Sequence, residues 1–330
     1  MVYHRLFSSH TPLSRRNLSR TLCRRDLHPG ARLLKNKRMK KNILSGILMA
    51  VSLSAASLSA APIKTLIVDG QSNGAHNMSA GSGEIKRILE GTGLFTVAMA
   101  TSPAKGQDMS GFKPDFSACS LVVFNYDGDP WPAETRAALV KYVQNGGGMV
   151  VVHSADNAFG NWKEFNEMIG VGGWGGRNEQ SGPYLRLRDG KWVPVGESGR
   201  GGSHGKARPY VVTTREPGHP VMQGLPTEWL HVSDELYDRL RGPARNVSVL
   251  ASAMTDPKTG GSGEEEPVLM TIAYGQGRVF HSTMGHGLPQ MKCVGFIVTL
   301  QRGAEWAATG KVTQKIPADF PSAAETKTRP

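Results

Sequence analysis

The chain has 330 residues, 39% of them hydrophobic, and 39 Lys and Arg against 27 Asp and Glu give it a formal net charge of +12. That length allows one large domain or two ordinary ones. The charge is concentrated in residues 1–61, which hold 12 Lys and Arg and a single acid, Asp26, so the rest is almost neutral and lacks the electrostatic footprint of a nucleic-acid binder.

Residues 1–38 are rich in Arg and Ser. They read as an over-called upstream start, with a transit peptide as the competing reading. Met39 then opens a new pattern: Lys40 and Lys41, an apolar stretch over Ile43–Leu58, and small residues to Ala61. A charged n-region, an apolar h-region and a small-residue cleavage site make residues 39–61 a secretory signal peptide, cut after Ala60 or Ala61. The stretch is diluted by Ser and Ala and short for a membrane span. The expectation is a periplasmic or secreted protein without stable membrane insertion.

The exported part reads as one domain over residues 62–315 followed by a polar tail, 316–330, expected to fray. Lys64–Val68 is an apolar run and predicts the first strand. It opens into a Gly-rich polar loop containing Asn73 and His76. Ser82 is placed to cap a helix to Glu90. Leu94–Ala100 and Leu121–Asn125 follow as strands, the latter running into Asp127, Asp129 and Trp131. Pro132 suits the first turn of a helix to Gln144. Met149–Val152 is an unbroken apolar run, as expected for a strand buried on both faces, and it stops at His153. A polar loop with Ser154, Asp156 and Asn157 leads to a helix over Trp162–Ile169. Strand and helix alternating at this spacing predict right-handed crossovers and a mostly parallel sheet. Beyond it lie a Gly-dense stretch, a hairpin over Leu185–Val195 turning at Asp189 and Gly190, strands at Pro209–Thr214, Val247–Ser252, Val268–Ala273 and Val279–Thr283, and a mixed segment over Glu228–Leu240. An apolar helix spans Lys292–Thr309.

Ligands of such sheets sit beyond the carboxyl ends of the strands, and three of the seven histidines after Ala61 fall there: His76, His153 and His286. His204 sits in a Gly-rich loop. Imidazole can ligate a metal or move protons, so His76, His153, His204 and His286 are the candidate metal ligands, although no diagnostic His-Glu-x-x-His spacing links them. The candidate catalytic groups are His153, Glu164, Asp234 and Glu235. Asn73, Asp127, Asn157 and Tyr237 offer hydrogen bonds to a ligand, and Trp131, Trp162 and Trp174 offer flat faces. The strand-to-helix turn, where hydrolases and amidotransferases place Ser or Cys, holds His153 here. No Gly-x-Ser-x-Gly frames Ser154, and neither Cys119 nor Cys293 is close in sequence. Covalent thiol catalysis is not expected, and the two cysteines are read as buried free thiols.

Several stretches together resemble the ThuA-like (trehalose utilisation) family: Val152–Phe159, Asn161–Glu164, Gly218–Leu225, Asp234–Tyr237, Tyr274–His286 and Gln301–Gly310. The resemblance covers nearly all of Lys64–Lys311. It implies a class I glutamine amidotransferase-like fold, a flavodoxin-like three-layer α/β sandwich with a mostly parallel central sheet, here with β-hairpin additions. It also implies a link to disaccharide or keto-sugar metabolism. The expectation is an exported enzyme that acts on a carbohydrate by acid–base or metal-assisted chemistry, as an isomerase, a hydratase or lyase, or a hydrolase. One divalent metal ion, zinc or similar, is the expected cofactor, with no nucleotide. A non-catalytic sugar-binding protein using the same pocket is the alternative. The expected partner is a small carbohydrate, and a homo-oligomer is compatible with the sequence.

Overall fold

A computed structural model describes residues 61–330; the expected start at Met39 and nearly all of the expected signal peptide lie outside the described residues. The chain order is β1 (Ile63–Asp69), α1 (Met78–Glu90), β2 (Phe95–Thr101), β3 (Leu121–Phe124), α2 (Ala133–Gln144), β4 (Gly148–Val152), α3 (Lys163–Ile169), β5 (Tyr184–Arg188), β6 (Lys191–Val195), β7 (Ser203–His204), β8 (Arg208–Thr214), β9 (Glu228–Asp234), β10 (Tyr237–Asp238), β11 (Val247–Met254), β12 (Glu265–Tyr274), β13 (Gly277–Ser282), α4 (Leu288–Met291) and α5 (Val294–Thr309).

The main sheet runs β2-β1-β3-β4-β13-β12-β11-β8-β9. From β2 to β13 every pairing is parallel. From β13 to β9 every pairing is antiparallel. The sheet is therefore mixed, and the parallel reading holds for its first five strands. Four successive reversals return β9 to the direction of β13 and β4. The carboxyl ends of β1, β4, β13 and β9 thus lie along one edge of the sheet, which places the site.

Period-2 alternation explains how β4 is covered. Met149 and Val151 pack on one face with Phe165 and Leu139, and Val150 and Val152 on the other with Ile85 and Leu300. Every β4 residue is buried, as a both-faces strand requires. The approach of α5 is close: a side chain at Gly303 would run into the ring of Phe280 on β13. The hairpin β5–β6 forms as expected around Asp189 and Gly190, both at positive φ. Among the described residues no helix is long and apolar enough to cross a membrane.

Three local expectations are corrected. The first helix begins at Met78 rather than Ser82, because Asn77 accepts the capping hydrogen bond from the Ala80 amide at 3.1 Å. Ser82 is buried inside that helix and accepts from Asn125 Nδ2. The C-terminal helix α5 begins at Val294 rather than Lys292, and a separate short helix, α4, precedes it. The tail does not fray but is docked. The amide of Leu230 donates to the Ser322 carbonyl, that of Val294 to Lys327, and that of Arg329 to Lys292, while the Phe320 ring meets Trp229 edge-on. Cys119 and Cys293 are free thiols.

Candidate metal centre and its two chambers

His153 is the residue where β4 turns into a short 3-10 helix, His153–Asn157. Its φ of 45° is a left-handed value that a non-glycine residue adopts at a cost, so the sharp turn presents the imidazole beyond the sheet edge. Its Nδ1 lies 2.7 Å from the Thr283 carbonyl. A carbonyl only accepts, so Nδ1 carries the hydrogen and Nε2 keeps a free lone pair. The same logic fixes His76, in the loop after β1. Its Nδ1 meets Asn73 Oδ1 at 2.9 Å, and that oxygen also accepts from the Ala75 amide. Oxygen partners of this kind are what orient metal-binding imidazoles.

Four groups converge here. One ligand atom from each of His76, His153, Glu235 and His286 lies within 4.8 Å of every other. The rings of His76 and His286 are 4.7 Å apart at 63°, and those of His153 and His286 5.4 Å apart at 89°. Glu235 Oε2 is 3.0 Å from His286 Nδ1 and 3.7 Å from His153 Nε2. The buried atoms His76 Nε2, His153 Nε2 and His286 Nδ1 have no hydrogen-bond partner. Glu235 stands beside these nitrogens as an ionic neighbour, closest to His286 Nδ1. Three nitrogens and one oxygen around a common point form a donor set compatible with a divalent metal such as zinc.

The electrostatics agree with a cluster built to hold a cation. Burial, then the nearby His153 and His286, push His76 down to about 4, so it is neutral and ready to ligate at pH 7. Burial alone would raise Glu235, but the close imidazoles of His153, His286 and His204 hold it well below the usual carboxylate range. Glu235 in turn raises His286. A metal must therefore displace whatever proton His286 holds. We expect zinc uptake to release more protons as pH falls from 7.5 towards 6, with affinity falling in step. Calorimetry in two buffers of different ionisation enthalpy measures this; an uptake heat indifferent to the buffer would refute it.

Behind the cluster stands Asp234, almost fully buried. Its Oδ2 accepts from His231 Nε2 at 3.0 Å and from the Gly285 amide at 2.9 Å. Its Oδ1 accepts from the amides of Glu235 at 2.8 Å and His286 at 3.4 Å. Asp234 lines neither chamber and fixes the backbone of two members of the cluster.

The cluster opens on an outer chamber of about 380 Å³. Of the residues the sequence singled out, His76, Asn73, Asp127, Asn157, Trp174, His204, Glu235 and Tyr237 all line it. Trp174 and Tyr237 form an aromatic corner, with ring centres 4.7 Å apart at 59°. Asn157 Oδ1 is buried without a partner, and burial raises the Asp127 carboxyl.

Four expectations are corrected. His204 is not in the cluster; its Nε2 stands 3.7 Å from Glu235 Oε1, and its Nδ1 meets the Gly205 carbonyl. Glu235 takes the fourth place. Trp131 is 2% exposed, packed among Phe112, Phe116, Phe124 and Tyr126, and offers no face to a ligand. Trp162 is buried against Phe159 and Phe165. Glu164 lies in the first turn of α3 near Tyr274 and lines neither chamber.

The sequence reading passed over Arg177. It is buried, and it donates to the carbonyls of Asn157, Ala158 and Gly173 and to Asn166 Oδ1. It thereby holds the loops that carry Asn157 and Trp174. One arginine within a glycine-dense, carbonyl-rich stretch was the signal available for it.

The family model for trehalose utilisation, ThuA, matches residues 64–307. A solved ThuA-like protein from Parabacteroides merdae is 51% identical, covers 82% of this chain and 98% of its own, and superposes with a TM-score of 0.79. A second, from Bacteroides uniformis, is 20% identical, covers 78% and 96%, and has a TM-score of 0.51, so it supports the fold alone. No curated protein matches the chain. With that match over most of its length, the chain belongs to the ThuA family.

Proposed function

We propose that this protein is an exported, metal-dependent, carbohydrate-acting member of the ThuA family, working on a disaccharide or keto-sugar derivative. The observation that carries the reading is the convergence of three imidazole nitrogens and Glu235 on one point, with His76 and Glu235 reaching the wall of a chamber that has an aromatic corner. His76, His153, Glu235 and His286 would hold the metal. Zinc or a similar ion supplies Lewis-acid polarisation of a sugar carbonyl or hydroxyl when bound.

The chain's own residues do the rest. Trp174 and Tyr237 take the apolar face of a sugar ring. Asn73 and Asn157 offer amides to its hydroxyls. Asp127, whose carboxyl is raised by burial, and His204, beside Glu235, are the groups placed to move protons at a bound sugar. This supports isomerisation, elimination or hydrolysis. The sharp turn at His153 supports wider kinship with class I glutamine amidotransferase-like proteins. Cys-dependent amide transfer is not part of the reading, since neither cysteine lines either of the two chambers at the cluster. The leader over residues 39–61 supports export.

The test is calorimetric binding of a panel of disaccharides and keto-sugars to the zinc-loaded protein, with products followed in parallel. Trp174→Ala should weaken the best sugar about tenfold, the upper range for an aromatic face, and leave zinc content unchanged. Failure of every sugar to bind would sink the carbohydrate reading. Binding without turnover would establish the sugar-binding alternative, which the aromatic corner equally serves.

A further inference from the structure

On the far side of His76 from the outer chamber lies a second, inner cavity of about 110 Å³. Its walls are the first turn of α1, Asn125, Ser154, the loop Gly285–Leu288 and the edges of His153 and His286. At roughly 30 Å³ per water, it has room for three or four non-hydrogen atoms and no sugar ring. Met78, Leu288 and Met291 close it with apolar surface.

The two chambers differ in charge. Asp127 and Glu235 line the outer one, whereas no acid lines the inner one. The inner one is met by the N-terminus of α1, a 13-residue helix whose first amides carry its positive end. A second, independent observation points to a ligand. Ser154 is only 2% exposed and lines the cavity, yet its hydroxyl makes no hydrogen bond to any described residue. That leaves the Ser154 hydroxyl free to bond to whatever occupies the cavity it lines.

We propose that the inner chamber is a binding site for a small oxyanion of formate or bicarbonate size, separate from the chamber that takes the sugar. The helix end and the Ser154 hydroxyl supply the recognition. The proposal leans on the metal reading in one respect only: zinc in the cluster would add attraction on the histidine side.

Carbon-13 formate is the probe, and its line width is followed with the full chain, both metal-free and zinc-loaded. Gly81→Val fills the chamber, since even a Cβ at Gly81 would lie 3.2 Å from Met291 Cε and 3.5 Å from Asn125 Nδ2. Ser154→Ala removes the hydroxyl and leaves the space. Saturable broadening by the wild type is expected, reduced at least fivefold by Gly81→Val and severalfold by Ser154→Ala. No broadening in either state, or broadening undiminished in the variants, would overturn the site. Should Gly81→Val not fold, Ser154→Ala decides. Zinc content is measured separately, so a protein that takes up no zinc but still binds formate would refute the metal reading and keep the chamber.

Discussion

Wild-type protein purified without a histidine tag should carry close to one divalent metal per chain, and His153→Ala should lower zinc affinity by more than about 100-fold. Outer partners of a metal site are alone worth about 10- to 100-fold, so loss of a direct ligand has to exceed that. Glu235→Gln, which keeps the shape and removes the charge, should lower affinity comparably. His204→Ala separates the arrangement expected from sequence from the one observed. If His204 were the fourth ligand, its loss would match that of His153. With Glu235 in that place and His204 beyond it, 3.7 Å from the carboxylate, affinity should change less than about threefold. Competition against a chromophoric chelator measures all four proteins. Wild-type protein that holds no metal after addition of zinc, manganese and iron would end the metal reading, and equal losses in His153→Ala and His204→Ala would reinstate His204 as a ligand.

The parallel half of the fold was legible because it follows from local rules. A run such as Met149–Val152 has one comfortable home, between two covered faces, and the first polar residue after it falls at the sheet edge. Hence His76, His153 and His286 could be picked out from their positions after strands. Glu235 was picked out as a candidate catalytic carboxylate beside Asp234, not as a metal ligand. Its place depends on four antiparallel reversals that bring the end of β9 to the edge where β4 ends, and no local pattern encodes that count. His204 misled for the converse reason: a glycine-rich loop permits many positions, and β7 pairing with β10 holds His204 beside Tyr237, outside the cluster. Trp131 and Trp162 misled through chemistry. Tryptophan in a polar loop suits a ligand, but each lies within two residues of the start of a helix, where a large apolar residue packs back onto the core. The positive φ of His153 and Trp174 was likewise beyond reach, since tertiary packing sustains it.

Asp234→Ala should be among the most damaging single changes in the protein. Removing one partner of a buried ion pair costs about 3–5 kcal/mol, and here the same carboxylate also accepts from the amides of Gly285, Glu235 and His286. Burial opposes charge on both partners of the pair. The hydrogen bond to Asp234 nonetheless raises His231, to about 9, and His231 holds Asp234 below its usual range. The signs set a window. The His231 contribution is complete below the unfolded value near 6.5 and is lost as pH rises through about 9; the Asp234 contribution is complete above about 4 and is lost as pH falls further. The stability gap between wild type and Asp234→Ala should therefore be widest between about pH 4 and 6.5 and narrow towards pH 9. Denaturant unfolding across that range measures it, on metal-free protein so that ligation does not contribute. A structural role alone predicts only that gap. Because Asp234 fixes the backbone of Glu235 and His286, Asp234→Asn, which keeps the volume and one accepting oxygen, should fold and still bind zinc more than about tenfold more weakly, the cost expected for an outer partner. A folded Asp234→Asn with wild-type zinc affinity would confine Asp234 to stability and leave the placement of the cluster to the loops alone.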